Sequence, residues 1–173
     1  MKDPHFERSV VLMIEHDNNE GSLGIIVNRP TDLRLGQIFK DMDLSTSKFE
    51  NNEESPVVLE GGPVAPQLGW IIHSLDWTSS ESNIIKKEAA VTASLDILKS
   101  ISVDKGPSSY LFCLGYSGWG PGQLVNEIKT GAWLNVPFDA SLLFDVPVKD
   151  RWQAAIASLG IDPLNLSAVI GDA

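Results

Sequence analysis

A chain of 173 residues with 43% hydrophobic and 21% charged residues has the size and composition of one globular domain with a sizeable core, far from a disordered composition. Its net charge is -10, from 13 Lys and Arg against 23 Asp and Glu; only Lys86-Lys87 stand adjacent, which argues against direct nucleic-acid binding, because phosphate backbones are held by clustered cations. The single cysteine, Cys113, excludes an intrachain disulfide and a zinc framework. With no apolar run near the ~18 residues of a spanning helix and no leader-like start, the expected setting is the cytoplasm, away from any membrane.

In chain order, Ser9–Glu15 (SVVLMIE) and Leu23–Val27 (LGIIV) are apolar runs around the turn formers His16 to Gly21, which predicts a β-hairpin with both strands largely buried. Pro30 cannot donate to a ladder, so Asn28-Arg29-Pro30 is expected to end the second strand. Thr31 or Asp32 then caps a short helix carrying Leu35, Ile38, Phe39 and Met42. The acidic residues Asp41, Asp43, Glu50, Glu53, Glu54 and Glu60, against Lys48, fall in a stretch rich in Ser, Thr and Asn that reads as a solvated loop.

Val57–Leu59 is a short strand broken by Gly61-Gly62-Pro63, and Gly69–His73 (GWIIH) is the next. Ile84–Val91 reads as a strand despite its lysine pair. Thr92 or Ser94 caps a helix with Leu95, Leu98 and Ile101, which ends before Gly106-Pro107. Ser109–Leu114 is a buried strand, followed by a glycine loop, Gly115 to Gly122, and a helix from Pro121 carrying Leu124, Val125 and Ile128. Ala132–Val136 and Ser141–Phe144 read as the last strands, and Val148–Leu159 as the last helix. With no linker or repeat, the expected fold is α+β: a single compact domain over residues 1–173 whose mixed, largely antiparallel sheet, with partial barrel closure as an option, is flanked by three to four helices.

The glycine loop, GYSGWGPGQL, joins a buried strand to a helix start, where free amides and the helix dipole favour an anion. It lacks the Lys-Ser/Thr of a Walker loop, since Gly122 is followed by Gln123, and it does not match GxGxxG. Two readings stand: glycines serving positive φ and close backbone approach while Trp119 packs over the turn, or a small anion or polar ligand on Gly118, Gly120 and Gly122 with Tyr116, Trp119 and Gln123 beside it. Asn28-Arg29-Pro30 offers a donor-rich turn in which Arg29 could clamp a carboxylate. Gly61-Gly62-Pro63 is a third turn, and if all three converge they build one crevice.

None of His5, His16 and His73 has metal-ligand spacing, so no metal or other cofactor is expected. His73, at the end of GWIIH, could face a crevice as an acid-base group, although a structural histidine is the commoner case. Cys113 lies in an apolar strand without a cationic neighbour and reads as buried and inert. Ser117 in GYSGW departs from the nucleophile elbow, because Trp119 stands where a glycine belongs.

Taken together, DPHFERSV at Asp3 to Val10, GSLGIIVNRP at Gly21 to Pro30, EGGPV at Glu60 to Val64, GWIIHS at Gly69 to Ser74, LGYSGWGPGQL at Leu114 to Leu124, AWL at Ala132 to Leu134, LLFDVP at Leu142 to Pro147 and Arg151-Trp152 resemble the AlgH or YqgE family of bacterial proteins over nearly the whole chain. The resemblance implies a compact α+β fold in a family that is uncharacterised or, through a genetic link to alginate production, described as transcriptional regulators. No catalytic residue carries over from it. Relatives commonly have an extra apolar segment before the Asp-Pro motif, whose absence here would leave an unpaired strand edge. The family's terminal Gly-His-Ala stands here as Gly171-Asp172-Ala173, so a role for that histidine does not carry over.

The leading expectation is a non-enzymatic regulatory module that binds a small polar ligand or a protein partner over Asn28, Arg29, Gly61, Gly62, His73, Tyr116, Gly118, Trp119, Gly120, Gly122 and Gln123. The rival is an enzyme acting on a phosphorylated or carboxylated metabolite, with His73 as acid-base and Arg29 as clamp, which requires those two and the glycine loop to share one pocket. A purely structural role is the third reading.

Overall fold

The computed structural model describes residues 6–44, 49 and 54–162; His5 with the Asp-Pro pair before it, the acidic-stretch residues Lys48, Glu50 and Glu53, and the terminal Gly171-Asp172-Ala173 lie outside the described residues. The first apolar runs form the expected hairpin, β1 (Val11–Asp17) against β2 (Gly21–Ile26), in antiparallel register from Val11 opposite Ile26 to Asp17 opposite Gly21. Asp17 makes the turn, its Oδ1 accepting the amides of Asn19 at 2.7 Å and Glu20 at 3.0 Å. A bulge between Met13 and Glu15 leaves Ile14 as an extra residue, so Ile14 stays against the core while the strand re-aims its end.

Pro30 does not stop the chain. It opens β3 (Pro30–Arg34), which pairs antiparallel with β4 (Val57–Glu60), and a proline is tolerated as the first residue of a strand with no partner on its other side. Helix α1 (Leu35–Asp41) therefore begins later than expected and is not capped by Thr31 or Asp32. Thr31 instead donates to the Val58 carbonyl at 2.8 Å, while Ser55 Oγ accepts the Gly36 amide at 2.7 Å and the Pro56 carbonyl that of Leu35 at 2.9 Å.

The sheet is organised on β8 (Tyr110–Trp119). One side of it takes β5 (Val64–His73) antiparallel; the other takes β4 in parallel at Leu59 opposite Cys113, then β2 antiparallel at Ser22 opposite Trp119. Beyond β5 lie β7 (Ala89–Thr92) and β6 (Asn83–Ile85). The result is an α+β fold with a nearly closed, largely antiparallel eight-stranded sheet. The span 84–91 is two strands rather than one, because Lys86 and Lys87 both take left-handed conformations, φ 49° and 60°, and reverse the chain.

Two apolar clusters fill the faces of this sheet. Leu12, Ile25, Val27, Leu59, Ile72 and Cys113 pack beneath Leu143 and Phe144 on one face, and Val58, Ile71 and Phe112 pack beneath Leu35, Phe39, Ile97 and Ile101 on the other. The second face is covered by α1 and by α2 (Leu95–Ser102), with Ser94 at its N-cap. The first is covered by α4 (Ala140–Phe144), a 3-10 turn (Val148–Asp150) and α5 (Arg151–Ser158). With α3 (Gln123–Lys129) that makes five α-helices among the described residues. Ala132–Val136 is not a strand, and Ser141–Phe144 is helical because Asp139 accepts the Ser141 amide at 2.8 Å as an N-cap.

Candidate functional site

The three turns do converge, but they close on one another. The Gly61 amide donates to the Leu114 carbonyl at 2.7 Å, the Gly61 carbonyl accepts from Ile26 at 2.8 Å, and the Arg29 carbonyl accepts from Glu60 at 2.8 Å. A Cβ on Gly61 would lie 2.3 Å from the Gly115 carbonyl oxygen, one on Gly62 2.3 Å from the Tyr116 carbonyl, and one on Gly115 2.4 Å from the Gly62 carbonyl oxygen. Gly62 at φ 149° and Gly115 at φ 74° also hold backbone angles that side chains resist. These glycines serve backbone-on-backbone packing and leave no crevice between the turns.

Gly115 has a second effect. Leu111 and Cys113 face the first cluster, and strict alternation would turn Tyr116 to the opposite face; yet Tyr116 also packs on the first cluster, edge-on to Trp70 with ring centroids 6.3 Å apart. The left-handed residue, at the register shift where residues 65–68 of β5 face it, breaks the pleat and inverts the alternation. Tyr116 and Gly118 consequently share a face with Leu23, which stands directly opposite Gly118 in the register.

That face ends in an open depression of about 680 Å³ lined by Glu15, His16, Asp17, Leu23, Tyr116 and Gly118 among others. Three exposed carboxylates, Glu15, Asp17 and Glu20, stand around it. The Asp17 carboxyl is held below the ordinary range by the amides of Asn19 and Glu20 and, less strongly, by His16. Gly118 is exposed, its φ is ordinary, and a Cβ there would meet only the Tyr116 ring at 3.7 Å. Among the described residues, nothing requires glycine at that position. The surrounding negative charge opposes the anion that the glycine loop suggested, and suits a cationic group.

Trp119 also borders the depression. Its indole stacks with Phe6 and Trp133 and donates to Glu127 Oε2 at 2.9 Å, as does Trp133 at 2.7 Å, while Gln123 Nε2 donates to Glu127 Oε1 at 2.8 Å. Gln123 Oε1 in turn accepts the Gly120 amide at 3.0 Å. Gly122, at φ 69°, is the residue before α3. Gly120, Gly122 and Gln123 thus build the corner from strand to helix beside the depression.

Asn28 is a latch. Its Oδ1 accepts the Val10 amide at 2.7 Å and its Nδ2 donates to the Arg8 carbonyl at 2.8 Å, which ties the chain before β1 to the end of β2. Asn28→Ala is expected to cost about 1–2 kcal/mol of stability, the scale of a part-buried donor left unpaired, read as a lower urea midpoint. Arg29 is half-buried beside it.

His73 is fully buried at the other end of β5, opposite Tyr110. From Tyr110 to Gly118 the strand runs roughly 25 Å at ~3.3 Å per residue. The pocket required by the enzyme reading, with Arg29, His73 and the glycine loop together, is not formed. Cys113 is fully buried and its thiol is pushed up to about 12 by burial, with Arg151 pulling the other way. Ser117 is buried, its hydroxyl 3.5 Å from the Gly61 carbonyl. One nucleophile-base contact escapes sequence reasoning: His16 Nδ1 and Ser22 Oγ lie 2.7 Å apart across the β1–β2 register. Both are at the open rim, and the Asp17 oxygen that binds Asn19 and Glu20 serves the turn rather than the imidazole. Among the described residues, no three His, Cys, Asp or Glu side chains cluster as a metal would need, and no helix is long and apolar enough to cross a membrane.

The AlgH-like family model matches residues 1–164. A UPF0301 protein of Vibrio parahaemolyticus is 40% identical over 176 residues, covering 100% of this chain and 93% of its own. One from Xanthomonas campestris pv. campestris is 41% identical over 175 residues, covering 100% and 90%. Among solved structures, the AlgH protein from Pseudomonas aeruginosa superposes with a TM-score of 0.77 at 32% identity over 100% of this chain and 88% of that one. A Corynebacterium diphtheriae protein, at TM-score 0.69 and 20% identity over 90% and 80%, shares the fold.

Proposed function

The chain belongs to the AlgH-like family of uncharacterised bacterial proteins, and from that premise we propose that it is a non-enzymatic regulatory module of the cytoplasm that works by binding a protein partner. The binding surface is the depression at the end of β1, β2 and β8, and its occupant is a basic segment of that partner. One observation carries this reading: Leu23, Tyr116 and Gly118, a glycine that no described neighbour requires, line a depression together with three exposed carboxylates. Charge of this kind steers association and sets specificity more than it adds affinity. The overall charge of -10 points the same way, towards regulation through protein contacts rather than on DNA directly.

The probe is a ten-residue Lys/Arg-rich peptide added to the isotope-labelled protein. The expected amide shifts are confined to Leu23, Tyr116, Gly118 and their neighbours, weaken with salt, and disappear in a Glu15→Lys, Glu20→Lys double variant. Shifts spread evenly over every acidic surface, or none at all, sink the proposal. Gly118→Leu provides the complementary check. The side chain fills the depression from an exposed position, so stability should change by less than about 1 kcal/mol while peptide binding is lost.

A further inference from the structure

His73 is a buried titratable group that the binding surface does not use, and its hydrogen bonds fix a direction. Nδ1 lies 2.9 Å from the Ser74 carbonyl, which can only accept, so Nδ1 carries the proton and Nε2 presents its lone pair. Thr92 Oγ1, 2.9 Å from Nε2, must then donate to it. Thr92 in turn accepts from Ser82 Oγ at 2.9 Å, and Ser82 Oγ accepts the Ser79 amide at 2.9 Å. One oriented chain of donors therefore runs from the surface turn before β6, through β7, into the end of β5. It bonds the side chains of the outer hairpin to the body of the sheet.

We propose that this Ser82–Thr92–His73 chain is an acid-released latch holding the β6–β7 hairpin on β5. A proton added at Nε2 turns that nitrogen from acceptor into donor. Thr92 must then swing its hydroxyl to Ser82, and the Ser82 proton loses its acceptor, with only Ser79 Oγ within reach at 3.4 Å. The whole chain reverses, with a charged ring left in a buried site. The hairpin is the end of the sheet path, with β6 paired, among the described residues, only to β7, so it can open while the remaining strands stay paired.

The charged and titratable groups around the ring are few. Asp76, after β5, favours the charged ring, but its carboxylate is occupied by Ser74 Oγ at 2.5 Å and the Ser108 amide at 3.0 Å. Tyr110 lies opposite on β8, with its phenol pushed up to about 12 by burial and by Asp104. Trp77 meets the ring at 78° with centroids 5.6 Å apart. β7 contributes Ala90 and Thr92, neither ionisable, Glu81 beside Ser82 is exposed, and on α2 Asp96 and Lys99 pair with each other at 3.3 Å in solvent. Burial outweighs Asp76 and the Ser74 carbonyl and holds His73 below its ordinary 6.5. With the folded value below the unfolded one, the open state binds more protons in the window between them. The latch is thus at full strength above pH 6.5 and weakens as pH falls below it.

Hydrogen exchange of the full chain, corrected for intrinsic rates and compared between about pH 5 and pH 7.5, tests this. The amides of Asn83–Thr92 should lose protection on acidification, approaching tenfold per pH unit at the steepest, while those of β2 and the centre of β8 hold. His73→Gln should make hairpin protection independent of pH. Equal pH slopes in the variant and the parent, a loss spread over the whole sheet, or no loss in the parent would overturn the proposal. If the variant does not fold, titration of the His73 ring protons in the parent decides: a midpoint at or above about 6.5 overturns it.

Discussion

Replacing Arg151 by methionine is expected to destabilise the fold by about 3–5 kcal/mol, a large share of the 5–15 kcal/mol typical of a domain. Arg151 opens α5 almost fully buried, and its guanidinium donates to the carbonyls of Val27, Leu143 and, at 3.2 Å, Val146. Those three oxygens belong to the residue that follows β2, to α4 and to the turn after it. A single planar fork thus fastens the helical layer to the sheet. Burial lowers the pKa of the guanidinium, but it stays charged and satisfied by dipoles. Methionine fills the volume and leaves three buried acceptors without donors. Arg151→Lys should recover only part of the loss, because an ammonium cannot reach Val27 and Leu143 with the same geometry. Urea unfolding reads both, and a midpoint in Arg151→Met equal to the parent's would show that the carbonyls find water instead.

Gly115→Ala is the second large effect, at about 2–5 kcal/mol. A left-handed φ costs roughly 1–2 kcal/mol for a residue with a Cβ, and overpacking adds roughly 1–3 kcal/mol, here against a carbonyl oxygen 2.4 Å away. The oxygen belongs to Gly62, which is pinned in its own tight contact with Tyr116 and cannot yield. Gly118→Ala, three residues along the same strand, should change stability by less than about 1 kcal/mol, since the nearest atom is 3.7 Å away. The contrast between the two, measured by thermal unfolding, separates glycines that shape the backbone from one that leaves room on the surface. Equal losses at both positions would refute the division.

Much of the fold is legible from local pattern. The β1–β2 hairpin, α2 with Ser94 at its start, and the apolar core of β8 all follow from runs of β-branched and apolar residues and from turn chemistry. The misreadings share a cause. Ser141–Phe144 is too short for its period to distinguish strand from helix, and Asp139 settles it by capping. Pro30 reads as a terminator until it is known that β3 lies with its proline at the strand's start. The candidate site was legible only in part. Tyr116 and Gly118 belong to a conspicuous motif, but Glu15, Asp17, Glu20 and Leu23 join them through cross-strand register and through the inversion at Gly115. Neither leaves a mark on local spacing. His73 drew attention as a possible base, and its burial follows from the pairing of β5 between β7 and β8.

The central place of β8 also governs when the molecule can fold. β2, β4 and β5 all draw hydrogen bonds from β8, so during synthesis their edges on that side stay open until the residues of β8 leave the ribosome. At roughly 5–20 residues per second, the earlier hairpins wait for seconds with apolar faces and unpaired amides exposed. The position of one strand along the chain, rather than the strength of the hairpins before it, therefore sets how long those edges stay unpaired in the newborn protein.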